Sequence, residues 1–247
     1  MITNSFTYNG INSREFGLYI SSKNVFSSPG TDVSMQSVPG RNGDILLYNK
    51  RYDNVSVSYS CWFKAPKGHT LAEICGRIKA WLLRAPNYCR LSDTYDRQYY
   101  REGVYSGPLD IEDTLNKFAE MEITFNCKPF RRAYTGDQVI TLDRQPAVVV
   151  NPEGFASQPY IKIYGGGNIL LDISNETGGG AWAINNVAEY VEIDSNLMDC
   201  YKDITLKNQD FIGGNTYGFP LLAPGKNEFI WDGEVTKIEI IPRWCTL

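Results

Sequence analysis

The sequence predicts a mainly β protein with one amphipathic helix. Two segments of the first half alternate between apolar and polar residues, and one segment has helical periodicity. The second half contains many short apolar runs separated by Gly, Pro and Asn. Of the 247 residues, 43% are hydrophobic and 21% are charged, which is the balance of a folded chain and not of a disordered one.

The first predicted element is a strand over residues 55–61, Val-Ser-Val-Ser-Tyr-Ser-Cys, in which the serines share one face. The next is a helix over residues 70–84. Thr70 can accept a hydrogen bond from the Glu73 amide while the Glu73 carboxylate reaches back, which is a capping box. Pro86 ends the segment. The apolar positions recur at helical spacing: Leu71, Ile74, Ile78, Trp81 and Leu82.

Two further predictions complete the first half. Residues 89–106 are rich in tyrosine, and we expect two strands joined by a turn at residues 93–96. Residues 118–130 alternate again, which predicts a strand with one apolar face. That face carries Ala119, Met121, Ile123, Phe125 and Cys127.

The second half has no helical period of useful length. Its strand-like runs cover residues 138–142, 147–150, 160–164, 169–173, 190–193, 203–206, 227–231 and 235–241. Many short strands separated by turn residues predict a β-sandwich or a barrel. The run Gly165-Gly166-Gly167 lies between two of these strands, and we expect it to form a hairpin turn.

Charge and breaker residues divide the chain into two predicted domains, 1–136 and 137–247. The first has 17 Lys+Arg against 13 Asp+Glu and the second 7 against 15, so their net charges are +4 and −8. The sign changes where Pro129 and Gly136 interrupt the alternation. Net acidity argues against nucleic-acid binding, which requires a basic surface.

The residues that catalysis requires are scarce. His69 is the single histidine, and without a Gly-x-Ser-x-Gly motif we interpret it as a solvated loop residue. Acidic residues cluster at 93–96, 112–113 and 189–194. A hydrolase with paired carboxylates is an open alternative, although we favour a solvated surface for these clusters. The six cysteines are far apart and are interpreted as reduced core residues, and no metal or other cofactor is expected.

Short motifs follow one another in a fixed order along the chain. The first half contains Phe6-x-Tyr8-Asn9-Gly10, Phe16-Gly17-Leu18, Val38-Pro39-Gly40-Arg41-Asn42-Gly43, Trp81-Leu82 and Phe125-x-Cys127-x-Pro129-Phe130. The second half contains Asn151-Pro152-Glu153-Gly154, Ser157-Gln158-Pro159, Ile161-x-Ile163-x-Gly165, Phe219-Pro220-x-Leu222-x-Pro224-Gly225-x-Asn227 and Ile241-Pro242-Arg243-Trp244. In this order the motifs resemble those of the siphophage distal tail protein family.

The resemblance implies a structural virion protein at the tip of the long non-contractile tail of a phage or a prophage, made in the cytoplasm of a Gram-positive host. In that family the first domain forms a hexameric ring and the second is a galectin-like β-sandwich. The implied partners are further copies of the chain, the tail tube protein, the tape-measure protein, and tail-associated or receptor-binding proteins. Phage DNA would pass through the ring without specific binding. Neither enzymatic activity nor membrane insertion is expected.

Two segments, residues 38–48 and 95–105, are candidates for the contact between ring subunits. They supply the candidate interface residues Arg41, Tyr48, Tyr95, Arg97 and Tyr99. Since DNA phosphates must pass through the ring, we expect its inner wall to be neutral or acidic.

The alternative function is a carbohydrate-binding module of a tail or cell-surface protein. Trp182 and Trp231 lie in the second domain, and an exposed indole can stack on a sugar ring. The histidine, asparagine and arginine set of sugar-binding galectins is incomplete, because the second domain has no histidine and only Arg144 and Arg243. A docking platform is therefore the favoured interpretation of the sandwich.

Overall fold

The computed structural model of the chain describes residues 4–23, 27–65, 67–84, 86–109, 111–114, 118–176, 178–213 and 218–247. The chain divides into two compact units, Met1–Arg131 with Leu247 and Arg132–Thr246. The domain boundary predicted at residue 136 lies in the 3-10 helix Tyr134–Asp137, just beyond this division.

The first unit is built from strands and one α-helix, α1 (Leu71–Leu83), with a 3-10 helix at Ser13–Phe16. Its strands are β1 (Phe6–Tyr8), β2 (Ile11–Asn12), β3 (Leu18–Lys23), β4 (Thr31–Gln36), β5 (Ile45–Tyr52), β6 (Val55–Phe63), β7 (Cys89–Asp93), β8 (Tyr99–Tyr105), β9 (Ile111–Thr114) and β10 (Phe118–Ala133). The strands of the main sheet follow the order β2-β1-β7-β8-β10-β6-β3. The sheet closes into a barrel because Asn4, just before β1, forms a bridge with Ile20 of β3.

The inner faces of β6 and β10 form the core of this barrel. The alternation predicted for them is confirmed: Val55, Val57, Tyr59 and Cys61 are buried, and so are Ala119, Met121, Ile123, Phe125 and Cys127. The two strands pair antiparallel, with Ile123 opposite Tyr59. Most outward side chains of the paired stretch are polar, with Trp62 of β6 as an exception, which is the pattern of a sheet with one solvated face.

Helix α1 closes one end of the barrel. Its predicted capping box is present, since the Glu73 amide donates to Thr70 Oγ1 at 3.3 Å and the Thr70 amide donates to Glu73 Oε2 at 3.1 Å. Trp81 donates from Nε1 to the carbonyl of Tyr8 at 3.1 Å and stacks on Phe6 and Phe16. These contacts fix the apolar face of the helix against β1.

The second unit is one sheet with the strand order β11-β18-β13-β14-β15-β16, with β12 paired to β18 and β17 paired to β14. The bounds are β11 (Ile140–Leu142), β12 (Ala147–Asn151), β13 (Tyr160–Asn175), β14 (Gly180–Asp194), β15 (Asp199–Lys202), β16 (Thr205–Leu206), β17 (Phe211–Gly213) and β18 (Gly225–Ile241), with 3-10 helices at Tyr134–Asp137 and Asn208–Asp210. The last strand, β19 (Cys245–Thr246), is not part of this sheet and pairs with β10. The mainly β class with one α-helix is confirmed over the described residues.

The hairpin turn predicted at Gly165-Gly166-Gly167 is wrong. These residues lie inside β13, which runs through both of the short strands predicted on either side of them. The register with β18 shifts at Gly165 and again after Gly166, which bends both strands. A Cβ on Gly165 would lie 2.0 Å from the carbonyl oxygen of Glu234. The glycine is needed for a close approach between two strands and not for a turn.

The acidic clusters at residues 93–96 and 189–194 are not purely solvated surface, contrary to the sequence-based expectation. Asp93 is buried in the first unit, where it contacts Lys23 and Tyr59. Asp194 is buried in the second unit and accepts two hydrogen bonds from Arg243, at 2.6 and 2.8 Å. The side chains of the third cluster, residues 112–113, lie outside the described residues.

The Asp194–Arg243 pair predicts an acid-sensitive second unit. Burial opposes ionisation of Asp194, but the hydrogen bonds and charge of Arg243 outweigh it, so the pKa of this carboxyl lies below its ordinary value. Because folding lowers this pKa, the ionised carboxylate stabilises the folded second unit at pH values above the unfolded-state pKa of about 3.9. This stabilisation is lost as the pH falls through the folded-state pKa.

We therefore expect Asp194→Asn to lower the free energy of unfolding by about 3 kcal/mol at pH 7, because it leaves the half-buried Arg243 charge without its carboxylate. The difference from the wild-type chain should narrow as the pH falls below about 4. Urea denaturation at pH 7 and at pH 3 measures both values. Asp143→Asn is the matched control, since the Asp143–Arg144 pair is exposed and its loss should not be measurable. Equal losses in both variants would contradict the account.

Candidate oligomer interface

Strands β4 and β5 form a hairpin that stands apart from the main sheets of both units. Among the residues that the structure describes, they pair only with each other, from Gln36 opposite Ile45 to Thr31 opposite Tyr52. Most of their side chains are exposed. An isolated two-stranded hairpin is marginally stable in water, so it gains order when another surface covers it.

The two faces of this hairpin differ in chemistry. The register places Met35 opposite Leu46 and Val33 opposite Tyr48 on one face, and Ser34 opposite Leu47 on the other. Met35 is 67% exposed and Leu46 is 58% exposed. On the second face, Asp32 accepts hydrogen bonds from Asn49 and Arg51. We call the face with Val33, Met35, Leu46 and Tyr48 the apolar hairpin face.

The base of the hairpin is fixed to the barrel. The Asp53 amide donates to the carbonyl of Gly30 at 2.9 Å, and the Tyr52 ring meets Phe130 edge-on with 5.6 Å between centroids. At the tip, the Arg41 amide donates to the carbonyl of Val38 at 3.1 Å. These contacts hold the base of the hairpin in place, and Arg41 is exposed at the opposite end of the hairpin.

A contiguous group of exposed apolar side chains raises the free energy of a protein that remains a monomer, because water must solvate the apolar surface. Such patches mark contact sites for proteins or membranes, and an exposed strand edge invites pairing with another chain. Because its apolar side chains lie on a strand pair with free edges, the apolar hairpin face is the strongest candidate in the described chain for contact with another protein. Among the described residues, no helix is long and apolar enough to cross a membrane.

The second predicted interface segment divides into two parts. Asp93 accepts hydrogen bonds from the amides of Tyr95 and Asp96, which forms the turn between β7 and β8. Tyr95 and Arg97 are exposed on this turn. Tyr99 is half-buried, with the Arg131 guanidinium 5.2 Å from its ring centroid. Tyr95 and Arg97 thus remain candidates for a subunit contact, whereas Tyr99 lies against a neighbouring side chain.

The candidate sugar-stacking residues are core residues. Trp182 is 4% exposed and donates from Nε1 to the carbonyl of Gly218 at 2.9 Å, and Trp231 is 8% exposed. A buried ring has no face to offer to a sugar. These two tryptophans therefore give no support to the carbohydrate-binding alternative.

The remaining chemistry-bearing residues are partnered or scattered. Within the described residues, no group of three or more His, Cys, Asp or Glu is arranged to hold a metal ion. His69 is half-exposed before α1, with Nδ1 3.4 Å from Glu73 Oε2. The six cysteines are free thiols, and four of them are buried.

Sequence reasoning missed a group of charged residues in the first unit. Lys23, Asp93, Arg101 and Arg131 line a cavity there together with four tyrosines. The alternation of β8 contained a usable indication, because Arg101 shares its face with the buried residues Gly103 and Tyr105. A charged residue at an inward strand position predicts a polar interior.

Comparisons with known proteins agree with this architecture. Residues 11–127 match the family model described as the phage tail protein RIFT-related domain. The chain is similar to the Dit protein of phage SPP1, with 11% identity, a TM-score of 0.72 and 99% of each chain covered. It is also similar to a chain of the phage P2 baseplate in its activated conformation with Ca, with 12% identity, a TM-score of 0.52 and 97% of each chain covered.

The search of curated proteins gave no match. The SPP1 Dit protein is described as a paradigm of the hub adsorption apparatus in phages that infect Gram-positive bacteria. The resemblance carried by the ordered motifs is confirmed: residues 11–127 match the family model of the phage tail protein RIFT-related domain, and the whole chain shares its fold with the SPP1 Dit protein.

Proposed function

We propose that this chain is a structural protein of a long non-contractile phage tail, located at the tail tip of the virion. In this proposal six copies form a ring that continues the tail tube and joins it to the adsorption apparatus. Its partners are the tail tube and tape-measure proteins on one side and tail-associated or receptor-binding proteins on the other. The family of the first unit and the fold of the whole chain support a tail protein.

The observation that carries the ring is the apolar hairpin face. A closed ring requires two different surfaces on each copy, one of which contacts the other surface on the next copy. The hairpin is one such surface, because it stands apart from the main sheets and exposes Met35, Leu46 and Tyr48. Arg41 at its tip and Tyr95 and Arg97 on the β7–β8 turn are further contact residues in this proposal.

The outward face of β6 and β10 is suited to the wall of the channel. Ser60 lies opposite Glu122, and Ser58 lies opposite Thr124 with 2.7 Å between the two hydroxyl oxygens. These side chains are neutral or acidic, so they would not hold DNA phosphates by ion pairing. Lys128, further along the same face of β10, is paired with Glu102 at 2.8 Å. We assign this serine-rich face to the channel through which phage DNA passes.

The proposed role is structural and not enzymatic, with synthesis in the cytoplasm of the bacterial host. The galectin-like character of the second unit and its use as a docking platform belong to the same proposal. The long paired strands of this sheet form broad surfaces to which another protein can bind, and such binding does not require a reactive group.

The mass of the purified full chain tests this function. At high protein concentration, native mass spectrometry should detect six times the chain mass of 27.9 kDa. Negative-stain electron microscopy of the same sample should show rings with a central opening. A chain that remains a monomer at every concentration, in a phage whose tail tips contain no ring of it, would contradict the proposal.

A further inference from the structure

One half of the sheet in the second unit has exposed apolar side chains on its outward face. In this half, β12, β18, β13, β14 and β17 lie side by side through residues 147–151, 225–232, 169–175, 180–184 and 211–213. Phe229 and Trp231 of β18 point to the buried side, so the residues that alternate with them point outward. The exposed apolar residues at outward positions are Val148, Val150, Leu170, Ile212 and Ile230. Exposed apolar area of this kind marks a contact site.

The register sets a carboxylate directly opposite three of these apolar side chains. The pairs are Val148 with Glu228, Ile230 with Asp172, and Leu170 with Asp232. Directly opposite residues are neighbours on one face of a sheet, so apolar area and negative charge alternate over three consecutive rows. We call the face formed by these six residues the mixed face.

The three carboxylates have no cationic partner among the residues that the structure describes. The side chains of Asp172 and Glu228 make no hydrogen bond or ion pair with a described residue. Asp232 accepts the amide of its neighbour Gly233 at 2.9 Å and forms no ion pair with the described chain. Like charges on neighbouring rows repel one another, so a cation supplied by another molecule would stabilise this face.

The charges around the mixed face do not change this balance. In the described part of this half, Lys226 is the one cation at an outward position, and it lies beyond the three rows. In the adjoining loops, Arg144 and Lys207 each have a carboxylate partner. Glu176 and Glu234, just beyond the ends of the same stretches of β13 and β18, are also acidic. The carboxylates therefore outnumber the available cations wherever the edge of the face is drawn.

The other half of the same sheet is built differently. Its outward cations lie beside carboxylates of the same sheet: Lys162 Nζ is 3.7 Å from Glu192 Oε1, and Lys237 Nζ is 2.5 Å from Glu239 Oε1. Glu239 also accepts the Tyr164 hydroxyl at 3.0 Å. These outward charges neutralise one another within the chain, whereas those of the mixed face do not.

We propose that the mixed face binds a segment of a partner protein that carries three Lys or Arg side chains in one row beside apolar side chains. Rows two residues apart along a strand are roughly 6.6 Å apart. A helix with a cation at every fourth residue has nearly the same spacing, about 6 Å. Val148, Leu170 and Ile230 would pack against the apolar side chains of the partner and exclude water from the ion pairs, which strengthens them. The inference rests on the docking role proposed above for the second unit and names the chemistry of its partner.

Other occupants fit the mixed face less well. Two copies of the chain in contact through this same face would bring their carboxylates together, which is unfavourable. Nucleic acid and anionic lipid carry charge of the same sign as the face. A sugar ring would find no aromatic residue at the outward positions of this half, because Trp182, Phe229 and Trp231 are buried. A basic and apolar protein segment is therefore the favoured occupant.

Calorimetric titration of the full chain with matched helical peptides tests the inference. The probe, the Arg peptide, is acetyl-Gln-Ala-Ala-Arg-Leu-Ala-Gln-Arg-Leu-Ala-Gln-Arg-Leu-Ala-Gln-amide, and the Gln peptide has Gln in place of each Arg. We expect saturable one-to-one binding of the Arg peptide and at least about tenfold weaker binding of the Gln peptide, since the ion pairs are lost. Replacing each Leu of the Arg peptide by Ala should also weaken binding, because less apolar area is buried. Equal binding of the Arg and Gln peptides, or absence of binding by both, would overturn the proposal.

Variants of the full chain locate the site. The first combines Asp172→Asn, Glu228→Gln and Asp232→Asn, and it should bind the Arg peptide about tenfold or more weakly. The control combines Glu189→Gln, Asp199→Asn and Asp203→Asn, which remove the same charge from the β14–β16 side of the same unit. The control should bind the Arg peptide like the wild-type chain. Equal loss of binding in both variants would show attraction to net charge alone and refute the assignment. If the first variant fails to fold, the two peptides on the wild-type chain still decide the question.

Native mass spectrometry of the same samples separates this inference from the proposed ring. The variant of the mixed face should form rings as the wild-type chain does, because its substitutions lie outside the apolar hairpin face. Loss of its rings would assign the mixed face to the contact between copies and overturn the inference. Binding of the Arg peptide by a wild-type chain that forms no ring would support the inference and contradict the ring.

Discussion

The variant Leu46→Asp is expected to remain folded as a single chain and to lose ring assembly completely. Leu46 is 58% exposed on the apolar hairpin face, so a carboxylate there stays solvated in the monomer. In the proposed ring the same carboxylate would be buried against the next copy. Burying an unpaired charge costs several kcal/mol at each contact, and the cost recurs at every contact of the ring.

The control for this variant is Ser34→Asp. Ser34 lies on the same hairpin, one residue from Met35, but on the opposite face, where it pairs with Leu47. Ser34→Asp therefore introduces the same charge on the hairpin without placing it on the apolar hairpin face. Native mass spectrometry should find rings for Ser34→Asp and monomers for Leu46→Asp, with the same circular dichroism for both. Rings of Leu46→Asp as abundant as those of the wild-type chain would remove the hairpin from the interface.

The variant Gly165→Ala is expected to destabilise the second unit by about 3 kcal/mol or more. Its Cβ would lie 2.0 Å from the Glu234 carbonyl oxygen and 3.0 Å from the carbon bonded to it. Both atoms belong to the backbone of β18, so a side-chain rotation cannot relieve the overlap. The strands would have to separate at the bend and lose ladder hydrogen bonds.

Gly154→Ala is the matched control, because a Cβ there meets no atom within 4 Å. Urea denaturation gives the loss of stability, and amide hydrogen exchange shows where it occurs. Exchange should accelerate in β13 and β18 and stay unchanged in β6 of the first unit. A Gly165→Ala chain as stable as the control would show that the two strands do not approach this closely.

The parts of the fold that sequence could predict are those with a local cause. The capping box of Thr70 and Glu73 fixes the start of α1, and the helix begins at the next residue as expected. The alternation around Tyr59 and Ile123 has a period of two, which places each side chain without reference to distant residues. An element could be predicted when its local sequence pattern was strong, whatever the length of the element.

The parts that sequence could not predict depend on distant partners. A glycine run serves equally well as a turn or as a crowded strand, and only the approach of Glu234 distinguishes the two for Gly165. Asp194 is indistinguishable from a surface carboxylate until Arg243 is brought beside it.

The candidate site shows the same division. Arg41 and Tyr48 belong to a segment that the sequence already marked as aromatic and basic, and the structure places both on one hairpin. The apolar face of that hairpin depends on the register between β4 and β5, which sequence did not reveal. The cavity of the first unit is lined by Lys23, Arg101 and Arg131, which come from three different strands, so no local pattern could unite them.

Cryo-electron microscopy of the assembled full chain tests the central claim most directly. The account predicts a six-fold ring in which the apolar hairpin face, including Met35 and Leu46, is buried against the next copy. It also predicts that the serine-rich face of β6 and β10 lines the channel. A ring whose hairpins are solvent-exposed, or whose channel is lined by Arg and Lys, would contradict it.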